Sequence, residues 1–263
     1  MTRKKTVVVQ KDKEILTLVL NRPEKLNALS LEMKDDILES FREIQKDKEA
    51  RVMVLCGAGR CFSAGGDMET MQIVQQSALA ADMGARSYLD VVLAIRSLDI
   101  PTIAKINGDA YGGGACIALA CDFKIASEEA KLGFAFLRVA LSGADAGATY
   151  LLPRMVGINK AIELLMLGQV INAQEAVKIG LIHKTVPASE LDGNVDELAK
   201  RLASGPPVAL RLTKRALWNS LDRDILSEFD FEAYAQGVCF QTEDHKEGVK
   251  AFLEKRSPIF EGR

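Results

Sequence analysis

Apolar and polar positions alternate over residues 6–10 and 15–20, which predicts two short strands, and the charged link Lys11-Asp12-Lys13-Glu14 between them suits a hairpin. After Ser30 the period lengthens. Met33, Ile37, Phe41 and Ile44 recur at helical spacing with Asp35, Glu39, Arg42 and Glu43 on other faces, so an amphipathic helix capped by Ser30 is expected. The apolar runs at 52–56 and 103–106, the second set off by Pro101, read as buried strands. Residues 69–98 have a helical pattern interrupted by Gly84. A break or mobile segment at 75–86 that covers a ligand is expected there, with an ordinary surface helix as the alternative. Residues 115–121 are apolar on every side, which suits a central helix buried all round, and 123–126 return to strand character. From Asp145 onward the chain reads as mostly helical. Pro206-Pro207 opens one helix, and Thr242 caps the last, with Glu243 and Asp244 in its first turn. Arg211, Lys214 and Arg215 share a helix face that reads as solvated.

This strand-to-helix alternation indicates an α/β protein, and 263 residues suffice for one domain with a substantial core and room for a small appendage. The formal net charge of −2 gives no field that favours nucleic acid or anionic lipid. Cys56, Cys61, Cys116, Cys121 and Cys239 form no CxxC pair and no metal-ligand spacing, and their odd number argues against a disulfide framework. The basic start, residues 1–5, leads into strand-like sequence instead of an apolar signal core, and no apolar run reaches membrane-spanning length. A cytoplasmic protein without a resident metal or permanently bound cofactor is expected. His183 beside a strand reads as structural and His245 as solvent-exposed.

Candidate chemistry lies in two glycine-rich stretches at predicted strand ends. These are Phe62-Ser63-Ala64-Gly65-Gly66-Asp67, and Asn107-Gly108 followed by Gly112-Gly113-Gly114. Each alone reads as a tight turn. Together they look like an oxyanion hole, because a backbone free of bulky side chains lets a ligand carbonyl approach two amides. A helix starting at the second stretch adds its dipole to the Gly113 N–H and favours an anionic oxygen there. Tyr88, Asp109 and Tyr111 are candidates to line a pocket nearby, and Asp67 reads as a residue that holds its loop.

Asn21-Arg22-Pro23-Glu24-Lys25-Leu26-Asn27-Ala28-Leu29, the two glycine stretches, Leu151-Leu152-Pro153-Arg154, Gly180-Leu181-Ile182 and residues 247–258 occur in an order and spacing that resembles the crotonase (enoyl-CoA hydratase/isomerase) superfamily. The resemblance covers essentially the whole chain. It implies a spiral of ββα turns over 1–200 carrying an acyl-CoA site, and a helical segment over 201–263 that mediates homotrimers, often stacked into hexamers. It implies coenzyme A as part of a thioester substrate, with the N–H groups of Ala64 and Gly113 gripping the thioester oxygen. Gly65, Gly66 and Asp67 belong to the same binding loop, Lys25 and Leu26 lie near the nucleotide end, and Phe252 and Lys255 reach in from a neighbouring subunit.

One departure bears on mechanism. Hydratases of this superfamily commonly use two glutamates, and the matching positions here hold Cys116 and, depending on how one inserted residue is placed, Phe136 or Leu137. Cys116 on its apolar helix reads as a packed thiol. Asp145, within Ser142-Gly143-Ala144-Asp145-Ala146-Gly147-Ala148-Thr149, resembles the catalytic aspartate of the isomerase branch, which includes the ring-epoxide isomerase of phenylacetyl-CoA degradation and some dienoyl-CoA isomerases. One carboxylate suffices to move a proton along a dienolate. Asp145 also suits the cap of the following helix. An isomerase, a hydratase in which Asp145 does double duty and a non-catalytic acyl-CoA binder are the readings left open.

Overall fold

The computed structural model describes residues 5–263, so most of the basic start, residues 1–4, lies outside the described residues. The first part of the chain repeats one supersecondary unit. A hairpin of β1 (Val7–Asp12) and β2 (Ile15–Leu20) leads to α1 (Leu31–Lys46), then β3 (Val52–Gly57) and β4 (Cys61–Ser63) lead to α2 (Met68–Val74) and α3 (Ala78–Ser97). Next come β5 (Thr102–Ile106), β6 (Asp109–Tyr111) and α4 (Gly113–Ala120), then β7 (Phe123–Ser127), β8 (Lys131–Gly133) and α5 (Ala148–Met166). β9 (Val170–Asn172), α6 (Ala173–Lys178), β10 (Lys184–Val186) and α7 (Leu191–Ala203) complete the core, and α8 (Pro207–Asn219), α9 (Ile225–Phe240) and α10 (Glu243–Glu254) follow.

From β3 to β8 the first strand of each turn joins one sheet and the second joins another. The sheet orders are β1-β2-β3-β5-β7-β10 and β4-β6-β8-β9, parallel except for the β1–β2 and β8–β9 pairs. This two-sheet spiral makes every first strand a buried one. Val52 and Val54 face α7 with Ile103, Ile125 and Val195, whereas Met53 and Leu55 point into the main core, the period-2 alternation of a strand covered on both faces. All eight residues of α4 are buried, as the apolar run predicts. Ser30 accepts the Met33 N–H at the start of α1, and Thr242 accepts the His245 N–H at the start of α10.

Three expectations need correcting. The break expected within 75–86 is present at 75–77, between α2 and α3, but Gly84, read as the interruption, lies inside α3. Gly84 is glycine for space: a Cβ there would lie 2.6 Å from a Val74 methyl, so its absence lets α3 pack onto α2. Gly84→Val is expected to destabilise by about 2 kcal/mol through overpacking that stiff Val74 cannot relieve. Unchanged thermal unfolding would refute that packing argument.

Lys214 is buried, not solvated. Its Nζ donates to the Ile100 carbonyl at 3.0 Å and pairs with Asp122 at 2.9 Å, while Arg215 pairs with Asp99 at the surface. Asp122 also accepts from the Thr102 N–H at 2.7 Å, the Thr102 hydroxyl at 2.9 Å and Trp218 Nε1 at 2.6 Å, so one carboxylate ties α8 to the spiral. His245 is half-buried with its ring edge-on to Phe240, because the first turn of α10 packs against the end of α9. His183 accepts the Lys124 N–H through Nδ1, in keeping with a structural role.

Candidate active site

The loop after β4 is held from three sides. Asn27, fully buried, donates to the carbonyls of Ala58 and Cys61 and accepts the Arg22 N–H. Arg22 Nη1 reaches the Ala28 carbonyl at 2.6 Å and Asp67 at 2.8 Å. Asp67 caps α2 by accepting the Thr70 N–H. Burial alone would raise its carboxyl, but Arg22 and the Thr70 and Glu69 amides outweigh burial and hold it below the usual range. The motif at 21–29 is thus largely a clamp that fixes where the glycine loop runs.

Within that loop the backbone donors are mostly spent. The Ala64 N–H donates to the Leu26 carbonyl at 2.9 Å, the Gly65 N–H to Ser63 Oγ at 3.2 Å and the Asp67 N–H to the Leu29 carbonyl at 3.4 Å. Gly66 pairs with Leu29 as a parallel bridge through the flanking Gly65 carbonyl and Asp67 N–H, so its own N–H forms no hydrogen bond among the described residues. Ala64, expected as a donor, has its N–H committed to the protein. The Gly113 N–H opens α4 and, as the first residue of a helix, has no intrahelical acceptor. A Cβ on Gly65, which has φ +89°, would lie 3.5 Å from the Gly113 nitrogen, so the two loops meet.

Tyr88, from α3, packs beside the two glycines that carry these donors. A Cβ on Gly113 would come within 2.9 Å of the ring, and one on Gly66 within 3.0 Å of the hydroxyl. That hydroxyl donates to the Leu29 carbonyl at 3.2 Å. Beneath the ring lies Lys34 of α1, only 1% exposed, with Nζ 3.7 Å from the ring centroid. Sequence reasoning missed Lys34, although it stands three residues before Ile37 and seven before Phe41, on the edge of the apolar stripe.

Asp145 sits half-buried in the turn before α5 and feels the charge of Lys34, as Tyr88 and Cys116 feel its own. Burial pushes its carboxyl up, against the Ala146 N–H and Lys34, which both pull it down. It does not cap α5: the cap position is Gly147, and Asp145 Oδ1 accepts only the adjacent Ala146 N–H, at 2.8 Å. Cys116 is fully buried, and burial pushes its thiol up, so it is a packed thiol rather than a nucleophile. Phe136 is buried with its ring 3.6 Å from where a Gly112 Cβ would lie, and Leu137 is exposed. Both positions are apolar, as expected.

Asp109 and Tyr111 are bonded to each other, and Asp109 accepts the Lys131 N–H, so this pair latches β6 to β8. Lys25 pairs with Glu69 at 2.9 Å, and Leu26 follows in a left-handed conformation. Phe252, 83% exposed, and Lys255 stand at the end of α10. A mainly apolar cavity of about 400 Å³ between α8, α9 and α10 is lined by residues that include Val208, Cys239, His245, Val249, Phe252 and Phe260, and contains none of the glycine donors.

Comparison with known proteins matches residues 10–263 to the enoyl-CoA hydratase/isomerase family. The chain is 37% identical to crotonyl-CoA hydratase of Syntrophomonas wolfei over 256 residues, covering 97% of each protein. It is 36% identical to 1,2-epoxyphenylacetyl-CoA isomerase of Escherichia coli over 255 residues, covering 96% of this chain and 97% of that one. An enoyl-CoA hydratase structure from Bacillus anthracis superposes with a TM-score of 0.93 at 34% identity, covering 98% of this chain and all of the other. With the two-sheet spiral, the glycine loops and matches that run almost end to end, the chain belongs to the enoyl-CoA hydratase/isomerase (crotonase) family.

Proposed function

We propose that this protein is an acyl-CoA isomerase in which Asp145 carries a proton between two carbons of an unsaturated thioester. The observation that supports it most is the state of Asp145: a half-buried carboxylate with no capping duty, raised by burial, in a chain that holds Cys116 and either Phe136 or Leu137 where a two-glutamate hydratase has acids. Asp145 removes a proton from a carbon conjugated with the thioester, and the electron pair moves onto the carbonyl oxygen. The protonated Asp145 then returns the proton at the other end of the dienolate as the double bond migrates. The enolate oxygen accepts from the Gly66 and Gly113 N–H groups, a pair favoured over Ala64 and Gly113 because the Ala64 N–H already serves Leu26.

Lys25 and Leu26 lie toward the nucleotide of coenzyme A, and Phe252 and Lys255 of a neighbouring copy complete that end. α9 supports assembly, since none of its residues is buried within one chain and Leu226, Phe229, Tyr234 and Phe240 expose large apolar surfaces. Trimers, stacked or not into hexamers, cover that surface, with 1–200 as catalytic core and 201–263 as assembly segment. The five free thiols suit a cytoplasmic enzyme. A hydratase is the second reading, favoured by the name of the Syntrophomonas wolfei relative.

The test is product analysis after incubation with 2-enoyl-, 3-enoyl- and dienoyl-CoA esters in water labelled with ²H and ¹⁸O. Double-bond migration without ¹⁸O in the product is expected. An ¹⁸O-labelled hydroxyl product makes the enzyme a hydratase, and absence of both hydration and proton exchange leaves only a binder.

A further inference from the structure

Gly113 is the first helical residue of α4, and at a helical φ the N–H of a residue and its Cβ lie on the same side of the N–Cα bond. Whatever would crowd a Cβ on Gly113 therefore stands next to the space in front of its N–H. That neighbour is Tyr88, with Cε1 2.9 Å and Cδ1 3.0 Å from the Cβ position. The Tyr88 hydroxyl lies 3.0 Å from the corresponding position of Gly66, so one side chain flanks both glycines. The ring is tied at two points. Its hydroxyl donates to the Leu29 carbonyl at 3.2 Å, and the Lys34 ammonium sits 3.7 Å from its centroid. Met71 also approaches Gly66, 2.6 Å from its Cβ position, but through the terminal methyl of a flexible chain that yields to a ligand.

The orientation of α3 says which end of a thioester meets this wall. Val92, one turn beyond Tyr88 on the same face, packs 3.4 Å from the Cβ position of Gly147, two residues after Asp145. Tyr88 thus borders the site on the side of the Asp145 turn. We propose that Tyr88 is a specificity-determining residue, whose fixed ring edge closes the space beside the carbon next to the thioester carbonyl, so that unbranched acyl-CoA esters are accepted and those with a methyl branch at C2 are rejected. This rests on the reading of the two glycines as donors to the thioester oxygen and of Asp145 as the proton shuttle. A C2 methyl needs about 3.5–4.0 Å between carbon centres. In the dienolate it is held in the plane of the C1–C2 double bond and cannot turn away from a wall. Room for it comes from Tyr88 only if the hydroxyl leaves the Leu29 carbonyl and the ring leaves Lys34.

The experiment measures kcat/KM for hex-3-enoyl-CoA and its 2-methyl analogue, and Kd by calorimetry for hexanoyl-CoA and 2-methylhexanoyl-CoA. Wild type is compared with Tyr88→Phe, Tyr88→Leu and Tyr88→Ala, each checked for fold by circular dichroism. Wild type is expected to favour the unbranched ester of each pair by about 10- to 200-fold, the range one methyl commands in a close-fitting pocket. Tyr88→Phe keeps the ring edge and should keep that preference, whereas Tyr88→Leu and Tyr88→Ala should reduce it by at least about tenfold. Each preference is a ratio taken within one protein, so a general loss of activity or partial unfolding does not move it. A wild-type preference below about threefold, a reading that needs no variant to fold, overturns the inference, as does an undiminished preference in folded Tyr88→Ala. Binding of both saturated esters without turnover of either unsaturated one overturns the isomerase reading, and the two Kd values then decide the discrimination. Binding of neither overturns the acyl-CoA reading and this inference with it.

Discussion

Asp145→Asn should lose at least about 100-fold in kcat with an enoyl-CoA substrate while KM changes little. The amide keeps the shape and can still meet the Ala146 N–H through its oxygen, so the turn before α5 is preserved and the loss is chemical. If Asp145 is the proton shuttle, as proposed, wild-type kcat/KM should fall as acid protonates it. Burial lifts that group above its ordinary value of 3.8, so the acid limb lies above the usual aspartate range. In Asp145→Asn the residual rate should lose that limb. Turnover within about threefold of wild type would remove Asp145 from the mechanism whatever the products are.

Asp122→Ala should cost about 3–5 kcal/mol and lower Tm by on the order of 10 °C. The substitution strands the buried Lys214 ammonium and leaves the Trp218 indole N–H and the Thr102 N–H and hydroxyl without their acceptor. Asp122→Asn, which keeps one oxygen acceptor but no charge, should fall between the two. Calorimetry decides it, and a loss below about 1 kcal/mol would mean that α8 is held chiefly by apolar packing.

Much of the spiral was legible because burial leaves a periodic trace. The stripe Met33, Ile37, Phe41 and Ile44, the runs in β3 and β5 and the all-apolar α4 each fall where their pattern places them. The pattern fails where a residue is used against its type. Lys34 and Lys214 are buried because their ammonium groups find a ring, a carbonyl or a carboxylate contributed by distant segments, and no local window contains those partners. Gly84 looked like a helix breaker and instead makes room for Val74 of the neighbouring helix. At the site, small residues marked the two loops that the fold brings together. Which amide stays free depends on the Leu26 carbonyl and the Ser63 hydroxyl, a matter of three-dimensional pairing that separates Gly66 from Ala64.

The contact between Trp218 and Asp122 has an optical consequence. The chain has a single tryptophan, and its indole is fastened to the spiral on one edge while the Arg96 guanidinium lies 4.2 Å over its ring. Intrinsic emission excited at the red edge therefore comes from one place, the seam between α8 and the core. Detachment of the C-terminal helices would free the indole from both neighbours and expose it to water, a change in colour and intensity distinct from the far-ultraviolet signal of the whole backbone. The protein carries its own fluorophore for following that seam without a label.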